Sequence, residues 1–330
     1  MKETVRIGII GTGGMARAHL NNFTRIEGAE VTVLCDIVPE QFDRAKKQFP
    51  DLADVATVED YHDVLSRDDV DAVLVCTPHT QHFQQAMDAL DANKHVLMEK
   101  PFVCSVEHAN TLLARLEDYP KVFALAYQRH AMGQFKAMKE RISSGELGDV
   151  TFISALQCQG WKRGTAGTWR QDPALSGGGQ INDSGSHLLD ILLWMTGLVV
   201  ADVSAFMDNC GTPVDINSAL TIRFTNGAQG NISVIGDSAI RWHEDISIWC
   251  EKGGFLYRNG TLEMYNESGV RTTLDGIHLP PTQSIDENFI GAVRGENPVA
   301  APPICGLRTI ELTEAAWKSA EQKGLPVKMN

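Results

Sequence analysis

The 330-residue chain contains no cluster of lysine and arginine, and its formal net charge is -13. That balance argues against nucleic acid or an anionic membrane surface as a partner. No apolar run approaches the roughly 20 residues of a membrane-spanning helix, so a span is not expected. The seven cysteines (Cys35, Cys76, Cys104, Cys158, Cys210, Cys250 and Cys305) are odd in number, scattered and without a CxxC pair. Free thiols in a reducing cytoplasm are the expectation, and inert small hydrophobes their role. The opening MKETVRIGIIGTGGMA has two basic residues, Lys2 and Arg6, and only a few apolar ones before its glycines, too few for the core of a signal peptide. Repeats, low-complexity tracts and long linkers are also missing.

The composition that remains, 43% hydrophobic and 22% charged, is that of an ordinary soluble protein. Its length exceeds what one core usually serves, so two domains are expected, residues 1–125 and 126–330. In the first third, apolar runs at Val5–Ile10, Val31–Cys35, Val70–Cys76, His95–Met98 and Val122–Ala126 read as strands covered on both faces. Helical patterns at 16–25, 39–49, 81–92 and 105–117 separate them. This alternation predicts an α/β, doubly wound parallel sheet of Rossmann type. Beyond Tyr127 strand-like pieces (150–157, 203–208, 219–224, 230–235, 246–251, 254–258 and 261–265) are joined by TNGAQG, EKGG, RNG and NESG. Asn-Gly between apolar runs signals a hairpin, so the second domain is expected to be α+β around an open, largely antiparallel sheet. A last helix is expected at 307–323.

Two stretches carry chemistry. In IGIIGTGGMA, Gly11, Gly13 and Ala16 form GxGxxA between a strand and a helix. Gly11 permits the tight turn, Gly13 lets a pyrophosphate approach the backbone, and the helix start, including Gly14 and Met15, offers donors to phosphates. Asp36 closes the next strand, where a carboxylate accepts from a ribose 2'-hydroxyl and repels a 2'-phosphate. NAD is therefore expected over NADP. The second stretch, SGGGQINDSGSHLLDILLWMTG (Ser176–Gly197), reads as a buried helix on which Asp183, His187 and Asp190 fall within roughly 60° of one another. Buried ionisable groups need partners or a purpose.

Together the glycine loop, Asp36, TPHTQH (Thr77–His82), EKP (Glu99–Pro101) and GGGQINDSGSHLLD (Gly177–Asp190) resemble the glucose-fructose oxidoreductase, inositol dehydrogenase and rhizopine-catabolism (Gfo/Idh/MocA) family over essentially the whole chain. The resemblance implies an oxidoreductase that moves a hydride between NAD and a secondary hydroxyl or keto group of a sugar, cyclitol or derivative. Lys100, Asp183 and His187 look like the family's catalytic residues. Thr77, Pro78, His82, Glu99 and Lys100 join the cofactor contacts, with a cis Lys100-Pro101 bond. Tyr127, Arg129, Trp161, Lys162, Trp169 and Arg170 occupy regions that line the substrate pocket in relatives. The cations among them, with Arg163, suit an acidic sugar or pair with carboxylates; a neutral sugar or cyclitol is the preferred reading. Pairing through the open sheet face, as homodimer or homotetramer, is likewise implied.

Three other readings compete. A glycosidase with transient, NAD-dependent sugar oxidation accumulates no NADH. A non-catalytic NAD sensor has no use for Lys100, Asp183 and His187 together. A metal hydrolase built on His79, His82, Asp183, His187 and Asp190 lacks an HExxH-type pair; no metal is expected. Trp194, Trp242, Trp249 and Trp317 are expected in the core or an interface.

Overall fold

A computed structural model describes residues 3–329. Met1, Lys2 and Asn330, at the outer ends of the two expected domain ranges, lie outside the described residues. The chain divides into two compact units. The first comprises the chain through Val103 with Glu107–Gln128 and Gln283–Gly306; the second comprises Cys104–Val106, Arg129–Thr282 and the chain from Leu307.

The first unit is built on β1 (Val5–Ile10), β2 (Ala29–Cys35), β3 (Ala56–Val58), β4 (Ala72–Val75), β5 (His95–Met98) and β6 (Phe123–Leu125). Their order is β3-β2-β1-β4-β5-β6, and every pairing is parallel. Burial explains the uninterrupted apolar runs: all four residues of β4 and all three of β6 are buried. The order reverses between β1 and β4, and the carboxyl ends of strands at such a point are where doubly wound sheets bind ligands. Residues 283–306, which the change of texture near Tyr127 assigns to the second domain, belong here in the folded chain. Long-range bonds hold them: Leu125 N donates to Ala301 O at 2.9 Å, and Asn22 Nδ2 to Asp286 Oδ2 at 2.6 Å.

The second unit carries β7 (Val150–Gln159), β8 (Val200–Asp208), β9 (Asn217–Phe224), β10 (Gln229–Ile235), β11 (Trp242–Cys250), β12 (Gly253–Arg258), β13 (Thr261–Tyr265), β14 (Arg271–Leu274) and β15 (Val327–Lys328). These form one sheet in the order β14-β13-β12-β11-β7-β10-β9-β8-β15. Only β7 and β10 pair in parallel. In β9 Ser218, Leu220, Ile222 and Phe224 are buried while Ala219, Thr221 and Arg223 are exposed, the period of a sheet covered on one face. Asn259 and Gly260, both at positive φ, make the turn between β12 and β13. Leu188, Leu189, Leu192 and Leu193 of the helix Ser186–Thr196 join Ile153, Ile222 and Ile232 of the sheet in one apolar core.

That helix starts at Ser186, so Asp183 stands in the turn before it and not on the helix face that the apolar spacing suggests. The turn has a physical cause. Gly185 N reaches back to Gln180 O, and the backbone of Gly179 and Ile181 is held by a distant carboxylate, Asp215. All seven cysteines are free. Trp242 and Trp249 are 44% and 45% exposed, so of the core or interface positions expected for them the core does not apply. Trp249 shares with Phe206 the outward residues of this sheet.

Candidate functional site

The cofactor-side residues gather at the carboxyl ends of β1, β2, β4 and β5. Gly11 follows β1 with φ +84°, and a Cβ there would press on Cys76 O, so no other residue fits. Gly13 has open space where its Cβ would stand. It precedes the helix Gly14–Phe23, whose first turn has neither a side-chain cap nor an acidic residue. Those N–H groups are left for an anion. Met15 is exposed at the same end. Asp36 follows β2, its Oδ2 accepting from Thr12 N at 2.8 Å and its Oδ1 from Val38 N at 2.9 Å. The glycine turn and the acidic residue are therefore one hydrogen-bonded unit. Arg17, not singled out in the sequence, donates to Thr12 O at 3.2 Å and Gln41 Oε1 at 3.0 Å, placing a cation beside the Asp36 turn. Open backbone at Gly13, unspent helix donors and a fixed carboxylate fit a dinucleotide.

Thr77 Oγ1 donates to Gln85 Oε1 at 2.6 Å, and Pro78 leads into a short helical turn. His82, expected at the cofactor, is fully buried. Its Nδ1 donates to Pro101 O at 2.8 Å and its Nε2 lies 3.1 Å from Thr77 O. Burial, partly offset by those carbonyls, lowers its pKa. The imidazole is thus a brace between two loops, with no ring nitrogen left for a cofactor or a metal.

The Lys100-Pro101 bond is cis. Glu99 is also committed to the protein: Oε2 accepts from Lys100 N at 3.0 Å and Oε1 from His19 Nε2 at 2.9 Å. His19 Nδ1 in turn donates to Asp286 Oδ1 at 2.6 Å. Burial alone would lower the His19 pKa, but the two carboxylates outweigh it and raise it to about 10. The same contacts overcome the effect of burial on Glu99 and pull its pKa down. An imidazolium therefore ties the glycine-loop helix to the EKP turn and to the helix Ile285–Val293. His19 had a sequence signal: it lies on the apolar stripe Ala16, Leu20, Phe23.

In the second unit the Asp183 carboxylate is nearly buried. Its Oδ2 accepts from Trp161 Nε1 at 2.8 Å and from Arg170 Nε at 3.1 Å, while the Arg170 guanidinium lies 4.4 Å over the Trp169 ring. Asp190 points elsewhere, with Oδ2 bonded to His130 Nε2 at 2.8 Å. Burial raises the Asp190 pKa against the pull of His130 and Arg129. Of the three polar residues, Asp183 therefore bonds to Trp161 and Arg170, Asp190 bonds to His130, and His187 is half-buried. The turn that presents Asp183 rests on Asp215, which accepts from Gly179 N (3.0 Å), Ile181 N (2.9 Å) and Trp317 Nε1 (3.0 Å). A Cβ on Gly179 would collide with Asp215, which explains part of the triple glycine.

The remaining expected substrate residues behave differently. Tyr127 is buried. Arg129 is buried against Glu244 at 2.7 Å, and Lys162 pairs with Asp237 at 2.9 Å. Arg129 is thus held in a buried pair, whereas the Lys162 pair lies at the surface.

Residues 5–127 match the model of an oxidoreductase family with an NAD-binding Rossmann fold, and residues 135–256 match the GFO/IDH/MocA C-terminal domain. The chain belongs to the Gfo/Idh/MocA oxidoreductase family. It is 25% identical over 341 residues to a myo-inositol 2-dehydrogenase of Thermotoga maritima, covering 97% of each chain. To a glycosyl hydrolase family 109 protein of a Shewanella species it is 36% identical over 169 residues, 48% of this chain and 37% of that one. A levoglucosan dehydrogenase solved in complex with NADH has the same fold, with a TM-score of 0.87 at 19% identity over 99% of this chain and 100% of that one. None of the helices among the described residues of this Gfo/Idh/MocA member is long and apolar enough to cross a membrane.

Proposed function

We propose that the chain is an NAD-dependent dehydrogenase acting on a secondary hydroxyl of a sugar, cyclitol or sugar derivative. The observation that carries this reading is the Asp183 carboxylate, fixed by Trp161 and Arg170 and followed four residues later by a half-buried histidine. A sensor needs no such group. NAD bound at the glycine turn supplies the hydride acceptor. Oxidation then releases a proton from the hydroxyl, and a base must stand within hydrogen-bond reach of it. His187 is that base, the side chain whose ordinary pKa lies near neutrality. Asp183 orients the imidazole or holds a neighbouring substrate hydroxyl, and Lys100 donates to the reacting oxygen. Glu99, anchored by His19, positions Lys100 through its backbone N–H and is not itself a cofactor contact. Asp36 favours NAD over NADP because its carboxylate repels a 2'-phosphate.

NADH absorbance across a panel of sugars, cyclitols, sugar acids and sugar phosphates tests the proposal. Absence of turnover with every compound that binds would refute it. The matched stretch in a family 109 glycosyl hydrolase supports a second reading, a glycosidase that oxidises its sugar transiently. Sugar release without net NADH separates it from the first. Association through the outward face of the second sheet, with Trp249 and Phe206 at the contact, is the assembly we propose, and sedimentation reads it.

A further inference from the structure

In the second unit the end of β7 opens into a concavity of about 500 Å³. Gln159, Trp161, Arg163, Thr165, Ala239 and Arg241 line it. Two hydrogen bonds fasten its wall to the Asp183 turn, from Gln159 Nε2 to Ser184 Oγ and from Trp161 Nε1 to Asp183 Oδ2. Its wall is thus hydrogen-bonded to the polar groups that precede His187.

Its charge is unbalanced. Arg129, Arg141, Arg170, Arg223, Arg258 and Arg271 of the same unit each hold a carboxylate. Among the described residues of that unit Arg163, Arg241 and Arg308 hold none, and the first two line this concavity, although 42 residues of the chain are acidic. Nearby charges cancel in pairs: Lys162 with Asp237, and Arg170 with Asp183. Two like charges that line one concavity repel each other, and an anion between them relieves that repulsion. Guanidinium groups match the paired oxygens of a carboxylate or phosphate.

We infer that this concavity takes the oxyanion of the substrate, which is therefore an acidic sugar carrying a carboxylate or a phosphate. The inference rests on the dehydrogenase reading for the word substrate; the anion site stands on Arg163 and Arg241 alone. It displaces the neutral sugar preferred from sequence, because three of the four cations weighed there, Arg129, Lys162 and Arg170, are neutralised by the protein itself.

Calorimetry on the NAD-saturated protein, with uronates and hexose phosphates set against the matching neutral hexoses and a cyclitol, tests it. The anions are expected to bind at least about 10-fold more tightly than their neutral counterparts, the worth of one charge-assisted hydrogen bond. Arg163→Gln and Arg241→Gln should each weaken the anion by about 10-fold and leave neutral sugars unchanged. For compounds that turn over, the same variants should raise KM with kcat nearly constant, the signature of uniform binding lost. The uronate and phosphate arms decide which oxyanion is preferred. Equal affinity for charged and neutral sugars, no anion binding, or unaltered anion binding in the double variant would each overturn the inference. Arginine-dependent anion binding without NADH formation would instead sink the dehydrogenase reading and leave the anion site standing.

Discussion

Replacing His19 by alanine removes the positive member of a buried charge cluster and leaves Glu99 and Asp286 facing a cavity. Both carboxylates and the imidazole are almost fully buried. Breaking a buried pair by deleting one partner costs about 3–5 kcal/mol, because the remaining charge has neither water nor a counter-ion. The His19 pKa gives the same scale: a rise from 6.5 to about 10 corresponds to roughly 5 kcal/mol of preference for the imidazolium. The folded chain binds this proton more tightly than the unfolded chain. The stabilisation is therefore complete below pH 6.5, declines as pH rises from 6.5 toward 10, and is gone above about 10. Hydrogen exchange of β1, β4 and β5, measured from pH 6 to 10 on the wild type and His19→Ala, reads the first unit without assuming that both units unfold together. The difference between the two proteins should shrink steadily with pH. Nitrogen shifts of the His19 ring should remain those of an imidazolium at pH 8. A pH-independent difference, or a ring that titrates near 6.5, would refute the buried-imidazolium argument.

Four further outcomes are expected. His187→Ala should lower kcat by about 10²- to 10⁴-fold with NAD affinity nearly unchanged, measured as turnover and as NADH fluorescence binding. Lys100→Ala should be comparably damaging, and near wild-type turnover in both variants would make these residues structural. Asp36→Ala removes the repulsion of a 2'-phosphate while Arg17 remains beside the turn, so the NADP to NAD ratio of kcat/KM should rise by about 10-fold or more, one phosphate contact's worth; a wild type that already uses both cofactors equally would contradict it. Asp215→Ala strands the N–H groups of Gly179, Ile181 and Trp317, and denaturation of the second unit should show a loss of about 3 kcal/mol or more.

The features legible in the sequence are those the backbone enforces locally. Gly11 must be glycine at its φ, and a strand, a glycine turn and a helix within 20 residues announce themselves whatever lies elsewhere. Strands β1, β5 and β13 fall at the boundaries their apolar runs predict. Strand β3 does not, since Ala56–Val58 is three partly exposed residues with no pattern to read. The start of the Ser186 helix is hidden for another reason: apolar spacing continues through Ile181, and Asp215, more than 30 residues away, helps to bend the chain before it.

The site follows the same division. Residue type gives the charge of an arginine or histidine, but what compensates that charge is a tertiary fact. His19 is an isolated polar residue on an apolar stripe until residues 80 and 267 positions distant meet it. Arg129, Lys162, Arg163 and Arg170 are equivalent in sequence, four cations near one motif. Folding supplies Glu244, Asp237 and Asp183 to three of them, while the fourth, Arg163, holds no carboxylate among the described residues and lines one concavity with Arg241. A charge the protein has already paired can do little for a ligand, since drawing it away leaves a buried or half-buried carboxylate behind. Recruiting an unpaired one strands no carboxylate. The nature of the substrate is therefore written less in which cations surround the site than in which of them the fold leaves uncompensated.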